Sequence, residues 1–291
     1  MKQHLAHSIF SIAPEREKEF DLSLDNFDLV YLPQRRWKFC ADPMKRVIFV
    51  SRGAIELLWC ASLAHYLFYH RFIQGKTFDK PTLIDPHSDA DVDAALQLLN
   101  WALKCQFDGD ESDNWPPGLP TPMENPPRES DLAMADELCL VSSAFLLHHE
   151  LAHIRLKHTA TNDRDWSLDQ EKEADISAAE WVLDRVDVDG PFFVKRMLGI
   201  VQAFLLTTAV GLYNGSLGGE THPYSYDRMM ALLNRSLGAE RHITKDIAFA
   251  VLDLHFNNSK RKWNGGPFAT AEEALDALCN RIANEVHGVP A

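Results

Sequence analysis

In this 291-residue chain the stretch LLHHELAHIRLKH, residues 146–158, sets four histidines and one glutamate in an apolar run. Residues four apart share one face of a helix, so the imidazoles of His149 and His153 can converge on a single ion. Glu150 falls one position on, where its carboxylate can take a proton from a water held beside that ion. Leu146, Leu147, Leu151 and Ile154 surround these groups, and desolvation penalises them unless they are ligated or hydrogen-bonded. Two satisfied core histidines beside a glutamate remain the alternative reading of the pentapeptide.

A catalytic zinc site takes three protein ligands and keeps one position open. Fourteen residues after His153 begins SLDQEKEADISAAEWVL, residues 167–183, which puts Glu171 eighteen residues beyond that histidine. Ser167 with Gln170 makes a capping box that starts a second helix just before the acids. Glu171 and Asp175 are four apart and share a face, whereas Glu173 points elsewhere and suits a solvated first turn. Glu171 is the expected third ligand, and Asp175 the carboxylate that receives an imidazole N–H, that of His149. Counting excludes a metzincin, which needs glycine three and histidine six residues beyond His153, whereas Leu156 and His158 stand at three and five. His158 reads as a cation at the helix end, and His148, about 100° round the helix from His149, as a packing residue.

A third group is THPYSYDRM, residues 221–229. Pro223 suits the first position of a helix with His222 as its cap. His222 could donate a hydrogen bond to the oxyanion formed when water attacks a peptide carbonyl, with Tyr224, Tyr226 and Arg228 as further oxyanion or substrate groups. A plain helix cap, with Arg228 in a structural ion pair, explains the same residues equally well.

These groups need elements to hold them. DLVYL (28–32), RRWKFC (35–40) and RVIFVS (46–51) read as a small antiparallel sheet, and helical patterns dominate thereafter. Ser88 with Asp91, Thr244, and Thr270 with Glu273 read as helix starts. The expected class is α+β, predominantly α-helical, with a zincin-like pair of catalytic helices and a small N-terminal sheet. Residues 106–130 hold six of the 15 prolines and form a Pro-rich acidic loop between a part spanning 1–105 and a helical part spanning 131–291, which could also be one continuous domain. The loop is a surface excursion or a lid.

Composition narrows the partners. A net charge of -13 offers no field for nucleic acid or anionic lipid. The two most apolar stretches, 53–70 and 197–213, are short for a span and carry Glu56, His65 and Gln202, so both read as core helices. Five cysteines without CxxC pairs, and an N-terminus without a continuous apolar core, point to a cytoplasmic protein.

The set His149, Glu150, His153, Glu171 and Asp175 resembles the HExxH and ExxxD helices of gluzincin metallopeptidases. EKEAD, together with His222, Pro223 and Arg228, is similar to the HtpX-like and CAAX-protease group, where the corresponding histidine lies near the catalytic centre. The length, HELAHIRLKH and the helical C-terminal half resemble the phage-exclusion peptidase Lit family. That resemblance implies a cytoplasmic Zn2+ endopeptidase acting on a protein or peptide substrate, of elongation factor Tu type, in bacterial defence, with an activating protein or peptide as a candidate partner. ImmA-like regulatory metallopeptidases and a non-catalytic, metal-stabilised binding protein are the alternatives. A structural zinc would call for a fourth protein ligand, often cysteine, and no cysteine lies near the motif.

Overall fold

The HExxH segment lies near the end of a 25-residue helix, α4 (Asp131–Arg155), begun by Ser130, whose hydroxyl accepts from the Ala133 N–H. The computed structural model describes residues 2–19, 27–74, 84–107, 114–159, 167–214, 224–238, 242–259, 266 and 268–286. Within them the chain runs α1 (Lys2–Ser11), β1 (Asp28–Leu32), β2 (Phe39–Asp42), β3 (Val47–Ser51), α2 (Arg52–Phe68) and α3 (Ala90–Phe107). After α4 come α5 (Leu168–Leu183), α6 (Pro191–Asn214), α7 (Ser225–Leu237), α8 (Ile243–Asn258) and α9 (Ala271–Val286). The class is α+β and predominantly helical, as the sequence pattern implies.

The sheet is mixed where an antiparallel one was expected. A tight turn with Arg46 at φ 54° folds β2 antiparallel onto β3, and β1 takes the other edge of β3 in the parallel sense, giving the order β1-β3-β2. The second strand also starts later than its alternating pattern suggests, because α2 claims the residues before it. Gly53 N–H donates to the Gln34 carbonyl, and a Cβ on Gly53 would lie 1.6 Å from the Arg35 carbonyl oxygen. Arg35 itself is buried, paired with Glu56 at 3.2 Å and laid over the Trp101 ring. Backbone contact with β3 begins at Lys38, whose carbonyl accepts from the Ser51 N–H, and the strand itself begins at Phe39.

Four helix starts differ in detail from the sequence pattern. The side chain of Asp89, not Ser88, caps α3 by accepting from the Asp91 and Val92 N–H groups. His242 caps α8 through the Thr244 N–H. At α9 Thr270 does accept from the Glu273 N–H, but the Glu273 carboxylate reaches back to Ala269. α7 begins at Ser225, two residues after Pro223, with Tyr224 in the cap position.

α4 is the hub. It packs on α1, α2, α5, α6 and strand β2, so elements from both sides of the Pro-rich segment meet on it. Of that segment, Trp115 is tucked between α2 and α3, edge-on to Trp59 and Trp101 at 6.1 and 5.0 Å, with its indole N–H donating to the Pro120 carbonyl. α6 is long and apolar enough to cross a membrane by length and composition, yet 72% of its most apolar stretch is buried in the fold. It serves as a core helix.

The core holds one buried polar knot. His65 of α2 lies 2.5 Å from His255 of α8 and 2.6 Å from Gln202 of α6. Burial pushes the His65 pKa down to about 4 and that of His255 well below its usual value. Both imidazoles are therefore neutral in the folded state, whereas the unfolded chain protonates them near pH 6.5. Their contribution is complete above pH 6.5 and is lost as pH falls toward about 4, on the order of 3 kcal/mol for His65. Urea denaturation between pH 4 and 7 will show this as a slope that is shallower in a His65→Leu, His255→Leu double variant. Gly53→Ala is expected to lower the thermal midpoint by several degrees, since its methyl group must displace the Arg35 backbone.

Candidate metal centre

Two helices build the centre. Near the end of α4 the i, i+4 spacing puts His149 and His153 on one face, and the capping box at Ser167 and Gln170 starts α5 so that its first turns lie beside them. His148 fixes the rotation of α4: its Nε2–H donates to the Ile9 carbonyl of α1, and its ring stacks on Trp181 of α5. His149, Glu150, His153, Glu171 and Asp175 are all buried.

The donor atoms converge. His149 Nε2 and His153 Nε2 are 3.2 Å apart, and Glu171 lies 3.5 Å from the first and 3.7 Å from the second. Neighbouring ligands on a tetrahedral ion with bonds of about 2.05 Å stand about 3.3 Å apart, so this triangle matches the edges of such a shell. Among the described residues these three form the group able to hold a metal ion. The structure thus brings His149, His153 and Glu171 together.

Charge points the same way. Three carboxylates, those of Glu150, Glu171 and Asp175, meet around one guanidinium, that of Arg228. Arg228 donates two hydrogen bonds of 2.6 Å to Asp175 and also lies 3.1 Å from Glu171. The residual negative charge is what a divalent cation would neutralise. The imidazoles behave as a pair that shares one proton. Burial opposes charge on His149, but Asp175 at 2.9 Å and Glu171 outweigh it and push its pKa up to about 10. Burial, then the proton on His149, push His153 down to about 3. Burial would raise Glu171, yet His149 and Arg228 hold it at about 2.

Glu150 differs from the other acids. Burial dominates and lifts its pKa to about 7, while the Ala41 N–H donates to its carboxylate at 2.6 Å. That donor comes from strand β2 and carries no signal in the sequence, because any residue supplies a backbone N–H. It ties the small sheet to the acid.

The remaining candidates divide. His222 and Pro223 lie outside the described residues. Arg228 is bound into the carboxylates of α5 as a structural clamp. Tyr226 is fully buried in the C-terminal core, stacked on Tyr224 at 5.4 Å, and burial pushes its hydroxyl pKa upward. His158 is not a solvent-facing cation at the helix end. It is buried, with Nδ1 2.9 Å from His153 Nδ1 and Nε2 3.1 Å from Glu173. Helical periodicity misses this contact because α4 has already ended at Arg155.

Comparisons with known proteins place the chain among peptidases. The "Cell death peptidase" of Escherichia coli (strain K12) is 28% identical over 284 residues, covering 94% of this chain and 93% of that protein. No solved structure matches. The family model described as Peptidase U49 matches residues 48–251, well over half the chain and a stretch that includes the whole His149, Glu150, His153, Glu171, Asp175 and Arg228 constellation. The chain belongs to the peptidase U49 family.

Proposed function

We propose that this peptidase is a zinc-dependent endopeptidase, with His149, His153 and Glu171 as metal ligands and Glu150 as general base. The observation that carries the reading is the convergence of two imidazoles and one carboxylate at tetrahedral spacing beside a carboxyl group whose pKa is about 7. When bound, the ion would supply a Lewis acid that activates water and polarises the scissile carbonyl. Three protein donors leave a position open for that chemistry, where a structural zinc would fill it.

The chain's own groups do the rest. A carboxyl group near pKa 7 can accept the proton of an attacking water and hand it to the departing amine, because its affinity for the proton matches the working pH. Asp175 holds His149 by its Nδ1, and Arg228 in turn holds Asp175. Strand β2 is an edge of the sheet. Since the Ala41 N–H turns outward to Glu150, strand alternation puts the backbone groups of Phe39 and Ala41 on that open edge. An extended peptide pairing there would lie across the general base. His222 and Tyr224 are the candidates for steadying the oxyanion.

The substrate we propose is a cytosolic protein, of elongation factor Tu type by the Lit resemblance, cleaved in phage exclusion or a related bacterial defence. The name of the Escherichia coli relative supports a peptidase that acts in cell death, and five free cysteines, four of them buried, suit a reducing cytoplasm.

Glu150→Gln is expected to retain zinc and to lose hydrolysis of a co-expressed substrate protein by about 10²- to 10⁴-fold. Proteomic comparison of cells making either form checks this, and full activity with metal retained overturns the assignment. Dialysis against a chelator is expected to lower the thermal midpoint, with zinc restoring it in wild type but not in Glu171→Ala. A midpoint indifferent to zinc in the wild-type protein would remove the metal from the proposal.

A further inference from the structure

We infer that His158, backed by Glu173, is a positioning residue that sets the tautomer and orientation of His153. This rests on the reading of His153 as a metal ligand. The argument begins with the turn that ends α4. Leu156 stays helical, Lys157 takes φ 54°, and the N–H groups of Lys157 and His158 donate to the carbonyls of Ile154 and His153. That is a Schellman closure with lysine where glycine is usual. It reverses the chain within two residues and carries the His158 ring back beneath the helix, 5.0 Å from the ring of His153 at a steep angle of 70°.

Hydrogen positions then follow from chemistry. Two Nδ1 atoms 2.9 Å apart form a hydrogen bond only if one carries a proton and the other does not. His153 Nε2 faces His149 and Glu171 and must offer its lone pair to the ion. Its proton therefore sits on Nδ1 and is donated to His158 Nδ1. His158 in turn carries its proton on Nε2, 3.1 Å from the carboxylate of Glu173, which accepts it. The chain from Glu173 through His158 to His153 does for the second imidazole what Asp175 does for the first. α5 thus serves all three tasks from one stretch: Glu171 meets the ion, Asp175 holds His149, and Glu173 holds the residue that holds His153.

Zinc affinity, measured by competition with a chromogenic chelator on the purified chain, separates this role from ordinary packing. His158→Leu keeps the volume but removes the acceptor, and is expected to weaken zinc binding by about 10- to 100-fold. His158→Gln, whose amide can accept from His153 and donate to Glu173, is expected to stay within a few-fold of wild type. Glu173→Ala, at a largely exposed side chain where folding is not at risk, is expected to lose severalfold. Thermal unfolding of the metal-free proteins reports whether each variant is folded. Zinc bound equally tightly by the wild type, His158→Leu and Glu173→Ala overturns the positioning role and leaves the metal centre standing. A wild-type chain that binds no zinc overturns both.

Discussion

Burying three carboxylates in the middle of a helical core is the constraint that organises this molecule. Each acid loses its hydration there, and only opposite charge or strong donors can offset the loss. Arg228 answers for Asp175 and part of Glu171, the Ala41 N–H for part of Glu150, and the imidazoles for the remainder. Because those partners come from β2, α4, α5 and α7, satisfying the acids fixes how the four elements sit. The same unsatisfied remainder that makes the site costly makes it able to hold a dication.

The constraint also explains why the second half of α4 is buried nearly all round. From Val141 to Ile154 its packed neighbours leave little face for water, so the ionisable groups there are confined to those with a partner. His148 is the instructive case. It stands beside His149 yet contacts a backbone carbonyl and a tryptophan, and its effect on the site is through the rotation of the helix.

Much of this was legible in the order of residues. The i, i+4 rule put His149 beside His153 and Glu171 beside Asp175, and the Ser167 cap located the start of α5, because these are local relations with a fixed geometry. The sheet was legible as three runs but not as a pairing, since the parallel contact of β1 with β3 depends on the hairpin between them. The caps at Asp89 and His242 were missed by one or two residues, where several polar side chains compete for the same free N–H groups. The contact of His158 with His153 was invisible, because it follows from a left-handed Lys157 rather than from a period. Arg228 was legible as a structural ion-pair residue or a substrate group, but its partner was not: Asp175 lies 53 positions earlier, and nothing in THPYSYDRM names it.

The hydrogen bond from His148 to Ile9 has a consequence for how the polypeptide tolerates change at its start. The opening helix is wired to the residue next to His149, with α1 laid along α4 and Arg196 of α6 gripping Glu15 just beyond it. The amino-terminal segment braces the helix that carries the candidate centre, and its trimming or fusion to another protein would be felt at His149.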